Sequence, residues 1–268
     1  MITLTGERWA PGVYNVLETA INESRRAGRI GYACYQAFWL GALDRDALNA
    51  VTLAKYSNQK TKYYFDAYNL GGLRGWEERV IDRYFADCRT ILVPAAGAGR
   101  EIAALAARGF EVSAFECTAA LVDVATRFLA KQGVATWVHL TAPDEVPQLG
   151  VHDGIVIGWG AYMHIAGASR RIAFLRGLRG QIRSGGPMLA SFYTRKGDSR
   201  ELRFIAKAAN ALRRLRGSKE LIEVGDELRG SFRHNLTESE VRREFEQGGF
   251  RLEEFSELEH PYAVGFAA

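Results

Sequence analysis

The sequence has few cysteines and no long apolar run. Its three cysteines, Cys34, Cys88 and Cys117, lie far apart, and none belongs to a Cys-x-x-Cys or Cys/His cluster of the kind that binds zinc. We therefore expect no metal site and a reducing, cytoplasmic location. No stretch approaches the roughly 18 uncharged apolar residues of a membrane span, and the first residues lack the basic start and apolar run of a signal peptide.

Two common nucleotide-binding motifs are also missing. The chain contains no Gly-x-x-x-x-Gly-Lys-Ser/Thr phosphate loop. The dinucleotide pattern Gly-x-Gly-x-x-Gly/Ala would use Gly97, Gly99 and position 102, where the bulky Ile102 stands. The sequence therefore gives no support to a phosphate loop and opposes a dinucleotide site.

The composition is that of a globular protein whose positive charge is local. Of the 268 residues, 47% are hydrophobic and 25% charged, enough for one substantial core with a smaller lobe. The net charge is +4, and residues 195–219 hold nine basic and two acidic residues. This segment predicts an amphipathic helix with an apolar face of Leu202, Ile205, Ala209 and Leu212. Its basic face is open to three interpretations: a solvated lid helix, a site for an anionic acceptor or RNA, or a membrane-surface helix.

Two different patterns divide the chain near residue 88. Residues 1–88 carry many aromatic side chains at helical spacing and predict a helical region. Residues 89–268 alternate short apolar runs with helical stretches, which is the pattern of an α/β fold with a mostly parallel sheet. Helices are predicted at about 15–27, 32–43, 75–85, 99–108, 118–131, 168–183 and 237–247, with another starting near residue 44. Strands are predicted at about 90–94, 111–116, 135–140, 153–158, 187–193, 250–255 and 263–267, with a linker at 217–234.

The end of the first predicted strand carries a run of small residues. The segment Val93–Glu101 reads VPAAGAGRE and leads into a helix, so a ligand can lie against the backbone at the helix N-terminus. The next predicted strand ends in Glu116, where a carboxylate can accept hydrogen bonds from both hydroxyls of a ribose. The two features together predict a nucleoside-containing cofactor.

At this point the sequence resembles the class I S-adenosylmethionine-dependent methyltransferases. Their first motif reads roughly V-L-D-x-G-x-G-x-G, and the segment Ile91–Gly99 here reads ILVPAAGAG. Val93 replaces the usual aspartate and Ala95 the first glycine, whereas Gly97 and Gly99 match. The segment His152–Ile165 is similar to the fourth strand and the loop after it, and Gln247–Phe250 to the turn before the sixth strand.

The resemblance implies a Rossmann-like, mostly parallel seven-stranded sheet whose last strand is antiparallel. It also implies a helical N-terminal lid at 1–88, a methyltransferase domain at 89–268 and a helical insertion at 195–236 before the last two strands. The cofactor would be S-adenosylmethionine, with Glu116 on its ribose. The adenine loop falls at Thr141–Glu145, where either Ala142 or Asp144 takes the position of the usual aspartate, and Pro143–Pro147 is equally readable as a simple turn. The residues expected to bind the cofactor are Ala95, Ala96, Gly97, Ala98, Gly99, Glu116, Cys117, Pro143, Asp144, Gly158, Trp159 and Tyr68.

Methyl transfer needs no universal catalytic residue, because holding an acceptor in line with the methyl group supplies most of the acceleration. Candidates for a base or orienting group are Trp159, Tyr162 and His164 after the fourth strand and Tyr193 after the fifth, and of these we expect His164 and Tyr162 to be catalytic. We expect His164 to have a pKa near neutral, which suits a general base. The alternative is a loop histidine that is hydrogen-bonded to the backbone.

The sequence thus predicts a cytoplasmic methyltransferase (transferase class) that modifies an oxygen or nitrogen of a small molecule. RNA or protein methylation through the basic segment 195–219 is an alternative, although the loop after the fourth strand lacks the [DNS]-P-P-[YFW] pattern of base-amino methyltransferases. A non-catalytic binding or scaffold protein on the same fold is another, since Val93 and Ala95 depart from the first motif. No membrane span is expected, and the oligomeric state is not predicted.

Overall fold

The computed structural model describes residues 10–24 and 28–268. Its α-helices in chain order are α1 Ala10–Ser24, α2 Arg29–Ala42, α3 Arg45–Tyr56, α4 Asp66–Asn69, α5 Gly75–Tyr84, α6 Arg100–Ala107, α7 Ala119–Lys131, α8 Ala168–Arg179, α9 Arg200–Leu215 and α10 Glu238–Gly248. The strands are β1 Thr90–Pro94, β2 Glu111–Glu116, β3 Val138–Leu140, β4 Gly154–Val156, β5 Pro187–Ser191, β6 Asp226–Leu228, β7 Phe232–His234, β8 Phe250–Ser256 and β9 Tyr262–Ala267. Short 3₁₀ turns lie at Lys62–Tyr64 and Tyr162–His164.

Seven of the strands form one sheet in the order β3-β2-β1-β4-β5-β9-β8. Strands β1 to β5 pair in parallel, and β9 pairs antiparallel with both β5 and β8. The predicted mostly parallel sheet with an antiparallel last strand is therefore confirmed. The order reverses between β1 and β4, and at such a switch point the carboxyl ends of the two strands border a crevice that binds ligands.

The sheet forms because its central strands are apolar on both faces. Ile91, Leu92 and Val93 of β1 are completely buried, as expected for a parallel strand that is covered by helices on both sides. The flanking helices α6 and α7 present Ile102, Leu105 and other apolar residues to the same core.

The described chain divides into two compact units. One comprises residues 56–162, 168–194 and 238–268, and it contains the seven-stranded sheet. The other is assembled from the described residues up to 55 and from residues 163–167 and 195–237. In this division residues 56–88 belong to the sheet unit, and the boundary at residue 88 between a lid and a methyltransferase domain stays a prediction.

Within the sheet unit, α8 and α10 share a buried ion pair. The guanidinium of Arg171 donates to both carboxylate oxygens of Glu244, over 2.9 and 2.7 Å, and both side chains are almost fully buried. The hydroxyl of Tyr162 donates to the same carboxylate over 2.6 Å. Three polar groups that would be costly to bury singly thus satisfy one another.

The second unit is built around the packing of α9 on α2. Ile205, Ala206 and Ala209 of α9 share an apolar core with Ala37 and Leu40 of α2, which supports the amphipathic helix predicted for the basic segment. The two helices approach closely at Gly41, which has no Cβ. A Cβ at this position would lie only 2.9 Å from the carbonyl oxygen of Ala209.

Arg213 and Arg216 of the basic segment make hydrogen bonds inside this unit. Buried Arg213 donates to the carbonyl oxygens of Leu40 and Leu43, and Arg216 donates to that of Ala42. The predicted linker at 217–234 is wrong, because β6 and β7 form an antiparallel hairpin there. No helix among the described residues is long and apolar enough to cross a membrane.

Candidate active site

The loop after β1 has an unusual backbone. Ala95, Gly97 and Gly99 have φ angles of +52°, +55° and +91°, a region that glycine adopts easily and alanine does not. Gly99 precedes the first turn of α6, whose N–H groups are therefore presented at the carboxyl edge of the sheet. A Cβ at Gly97 would meet no protein atom within 4 Å, so this backbone forms a shallow cradle.

Glu116 lies at the tip of β2 beside this cradle. Its Oε2 accepts the N–H of Gly97 over 2.9 Å, and its Oε1 accepts the N–H of Thr118 over 2.8 Å. These bonds fix the carboxylate and leave further lone pairs for two hydroxyl donors. The neighbouring Cys117 is not a nucleophile, because burial and the charge of Glu116 raise the pKa of its thiol to about 12.

The turn that contains Pro143 and Asp144 follows β3, the strand next to β2. Leu140 at the end of β3 pairs in register with Glu116, which places this turn at the same sheet edge as the carboxylate. Asp144 has a φ of +65°, and the N–H of Glu145 donates to the carbonyl of Ala142, so the segment is a turn.

Gly158 and Trp159 follow β4 on the other side of the switch point. The N–H of Gly158 donates to the carbonyl of Pro94, and a Cβ at position 158 would lie 1.9 Å from the carbonyl oxygen of Ala95. Only glycine fits such a contact, so Gly158 holds the loops after β1 and β4 together. The backbone N–H of Trp159 donates to Glu101 Oε1 over 3.3 Å.

A buried ion network that the sequence reasoning missed supports this edge. Arg100 makes a two-pronged ion pair with Glu77 over 2.7 and 2.8 Å, and it also donates to Glu101 and to the carbonyl of Gly72. The three charged side chains are each at most 7% exposed. The network joins α5, α6 and the loop after β4. The sequence could not predict it, because no local pattern relates position 77 to position 100.

Aromatic side chains of the segment before β1 gather at the same edge. Tyr63 stands 5.4 Å from Tyr68 between ring centroids, and the ammonium of Lys62 lies 4.5 Å above the Tyr68 ring and 4.3 Å above that of Trp159. Burial raises the pKa of the Tyr68 hydroxyl. Tyr68, predicted as a cofactor contact, therefore lies in one cluster with Trp159.

His260, in the connection between β8 and β9, joins this cluster and was not predicted. Its ring lies 5.0 Å from that of Trp159, 5.4 Å from that of Trp76 and 5.9 Å from that of Tyr193. Burial, and to a smaller extent the ammonium of Lys62, lower the pKa of His260 to about 4. A lone histidine in a loop carries no sequence signal that could have identified it.

The two predicted catalytic side chains occupy different places. Tyr162 is completely buried and donates its hydroxyl to Glu244. His164 belongs to the other unit, where its Nδ1 lies 2.5 Å from the carbonyl oxygen of Phe232. The near-neutral pKa expected for His164 is wrong, because burial lowers it to about 4. Their roles in catalysis stay predictions, and both contacts are those of side chains that stabilise the fold.

One group of possible metal ligands occurs among the described residues. Ligand atoms of Glu223, Asp226 and His234 lie within 4.8 Å of one another. Asp226 already binds Nδ1 of His234 over 2.7 Å and the N–H of Glu223 over 2.8 Å, which ties together the open end of the β6–β7 hairpin.

The sheet order, the cradle after β1 and the carboxylate at the tip of β2 define the fold of the class I S-adenosylmethionine-dependent methyltransferases. No protein-family model matches the chain, and no curated protein matches it in sequence. Three solved structures illustrate the likeness.

The amino pentose methyltransferase CalS10 of Micromonospora echinaspora is 15% identical, with a TM-score of 0.55 over 79% of this chain and 99% of that protein. The sugar N-methyltransferase KedS8 of Streptoalloteichus sp. is 14% identical, with a TM-score of 0.53 over 71% and 85%. A methyltransferase of Methanosarcina mazei is 16% identical, with a TM-score of 0.54 over 73% and 96%. The resemblance inferred from the sequence is therefore confirmed at the level of the fold.

Proposed function

We propose that this protein is an S-adenosylmethionine-dependent methyltransferase that acts on a small molecule. The observation that carries the proposal is the fixed pairing of Glu116 with the N–H of Gly97 at the switch point of the sheet. A carboxylate held beside a backbone cradle at this position suits a nucleoside, whose ribose hydroxyls donate to the carboxylate. When bound, the cofactor supplies a methyl group on a positively charged sulfur.

The residues of the sheet edge fit this cofactor. The cradle of Ala95–Gly99 lets the ligand approach the backbone, and Glu116 holds the ribose. The turn at Pro143 and Asp144 would border the adenine. On the other side of the switch point, Trp159 and Tyr68 would line the pocket, with the ammonium of Lys62 lying over both rings. The departures at Val93 and Ala95 leave these contacts in place.

The hydrogen bonds of two arginines in the basic segment 195–219 favour a small acceptor over a nucleic acid. Arg213 is buried and donates to the carbonyls of Leu40 and Leu43, so its donors are not available to phosphates, and Arg216 uses part of its guanidinium on the carbonyl of Ala42. Two of the structural neighbours are named as methyltransferases of sugars, which also supports a small acceptor. Cofactor-dependent RNA binding that weakens steeply with salt would instead favour the nucleic-acid alternative.

Calorimetric titration with S-adenosylmethionine, S-adenosylhomocysteine and NAD tests the proposal without knowledge of the acceptor. We expect micromolar binding of the first two compounds and none of NAD. Glu116→Ala should weaken binding by about 1–3 kcal/mol, because charged hydrogen bonds to the ribose are lost. Glu111→Ala is the matched control, since Glu111 begins the same strand, pairs with Arg89 at the surface and should bind the cofactor as the wild type does.

Two results would contradict the proposal. If neither sulfur compound binds, the fold serves as a scaffold, and the departures at Val93 and Ala95 mark a lost site. If both bind but Glu116→Ala leaves the affinity unchanged, the cofactor lies elsewhere.

A further inference from the structure

Two buried polar nitrogen atoms in the aromatic cluster have no hydrogen-bond partner among the described residues. They are Nε1 of Trp159 and Nε2 of His260, in rings whose centroids are 5.0 Å apart. Leaving such an atom unpaired costs about 1–3 kcal/mol, and buried polar atoms of folded proteins are nearly always paired. Two of them side by side, at the carboxyl edge of the sheet, indicate a ligand that brings the missing partners.

The chemistry of the two atoms restricts that ligand. The indole N–H of Trp159 can only donate a hydrogen bond. The imidazole of His260 is neutral at physiological pH, because burial and the ammonium of Lys62 lower its pKa to about 4. A neutral imidazole nitrogen can accept a hydrogen bond. The simplest group that accepts from one ring and donates to the other is a hydroxyl.

We propose that Trp159 and His260 bind the acceptor's hydroxyl group, so that the protein methylates an oxygen. The hydroxyl oxygen would accept the N–H of Trp159 and donate its proton to Nε2 of His260. The two ring centroids are 5.0 Å apart, so the two nitrogen atoms belong to neighbouring rings that one small ligand can contact. This inference rests on the proposed methyltransferase function.

The number of lone pairs on the acceptor atom distinguishes a hydroxyl acceptor from an amine acceptor at this site. A hydroxyl oxygen has two lone pairs, so one can accept the N–H of Trp159 while the other attacks the methyl carbon. A neutral amine has one lone pair, which cannot do both. A protonated amine has none and would also bring a second positive charge beside Lys62. The pair of rings therefore discriminates against amines.

The proton balance of the transfer also has a place in this arrangement. The new oxygen–carbon bond forms as the carbon–sulfur bond of the sulfonium breaks and leaves its electron pair on sulfur. The hydroxyl proton then passes to Nε2 of His260. An oxygen that carries both its proton and a new methyl group is a strong acid, so even a base whose pKa is about 4 accepts its proton.

The test uses three probes of similar shape, namely phenol, aniline and toluene, on the full chain saturated with S-adenosylhomocysteine. The readout is the indole N–H signal of each tryptophan in a ¹H–¹⁵N correlation spectrum. Trp159 is assigned by Trp159→Phe, and the exposed Trp137 serves as an internal reference. We expect phenol to move the Trp159 signal downfield in a saturable way and aniline and toluene to leave it nearly unchanged.

Variants sharpen the measurement. His260→Phe keeps an aromatic ring but removes Nε2, so it should weaken phenol binding about tenfold, the loss expected for one hydrogen bond to a buried group. Trp137→Phe is the matched control and should bind phenol as the wild type does. An equal response to aniline or toluene, or no response to phenol, would overturn the inference, as would unchanged phenol affinity in His260→Phe.

A separate titration of the cofactor-free chain with S-adenosylmethionine keeps the two proposals apart. Cofactor binding without a phenol response means that the chain is a methyltransferase whose acceptor lies elsewhere. A phenol response without cofactor binding means that the hydroxyl site stands while the methyltransferase function fails.

Discussion

The backbone of Ala95 shows how a single departure from a motif changes local energy. The residue has a left-handed φ of +52°, where a Cβ is strained by about 1–2 kcal/mol, at the position of the first glycine in the methyltransferase motif that the sequence resembles. The sequence showed the departure, but only the structure shows that the backbone kept the conformation of the glycine. The adjacent Ala96 has no such strain and is almost fully buried.

We therefore expect Ala95→Gly to raise the free energy of unfolding by about 0.5–1 kcal/mol, because relief of strain exceeds the extra entropy of the unfolded chain. Ala96→Gly should lower it by about 1–2 kcal/mol, since glycine there adds entropy to the unfolded chain and removes a buried methyl group. Denaturant titration of both variants measures the difference. A loss of stability in Ala95→Gly as large as that in Ala96→Gly would show that the loop is not strained.

The buried ion pair of Arg171 and Glu244 connects the helices α8 and α10. Arg171→Met should lower the free energy of unfolding by about 3–5 kcal/mol, because it leaves the carboxylate of Glu244 buried without its cation. Changing both residues to methionine should recover most of that loss. Thermal and denaturant unfolding of Arg171→Met, Glu244→Met and the double variant tests this coupling. If the loss of stability in the double variant equals the sum of the two single losses, the residues are not coupled.

Tyr162 belongs to the same contact between helices. Tyr162→Phe removes one hydrogen bond to Glu244 and should lower stability by about 1 kcal/mol. If turnover of an identified acceptor also stays normal, Tyr162 stabilises the fold and has no part in catalysis. A large loss of turnover without a loss of stability would support the role first predicted for it.

The regular elements were predictable, and the contacts between distant segments were not. The helices and the strands of the main sheet carry long periodic patterns or continuous apolar runs, so most of their positions agree with the structure within a few residues. The first helix begins five residues before its predicted start, and residues 25–27 of that prediction lie outside the described residues. The hairpin of β6 and β7 was missed because each strand has only three residues and a Gly-containing turn separates them. The Arg100–Glu77 pair and His260 depend on three-dimensional proximity, which no local pattern records.

At the scale of the whole molecule, acid should weaken the fold through its buried histidines. The pKa of His164 is about 4 in the folded protein and about 6.5 in an unfolded chain, so the unfolded state binds a proton more readily between these values. Stability is therefore complete above about pH 6.5 and falls as the pH is lowered toward 4. His260 contributes in the same direction.

The loss due to His164 should amount to about 2–3 kcal/mol across this range. His164→Gln should have a flatter stability profile between pH 7 and pH 4, and the exposed His139 provides the control variant His139→Gln. Denaturant titrations at several pH values give the slopes. Equal slopes in wild type and His164→Gln would show that His164 is not protonated on unfolding in this range.

The assembly of one unit from three separate segments also has a consequence for synthesis of the chain. The apolar face of α2 packs against α9, and roughly 160 residues must be translated between them. At about 5–20 residues per second, this face leaves the ribosome roughly 8–30 s before its partner exists. Nascent chains of this protein thus carry α2 without its partner α9 while the strands of the sheet are still being translated.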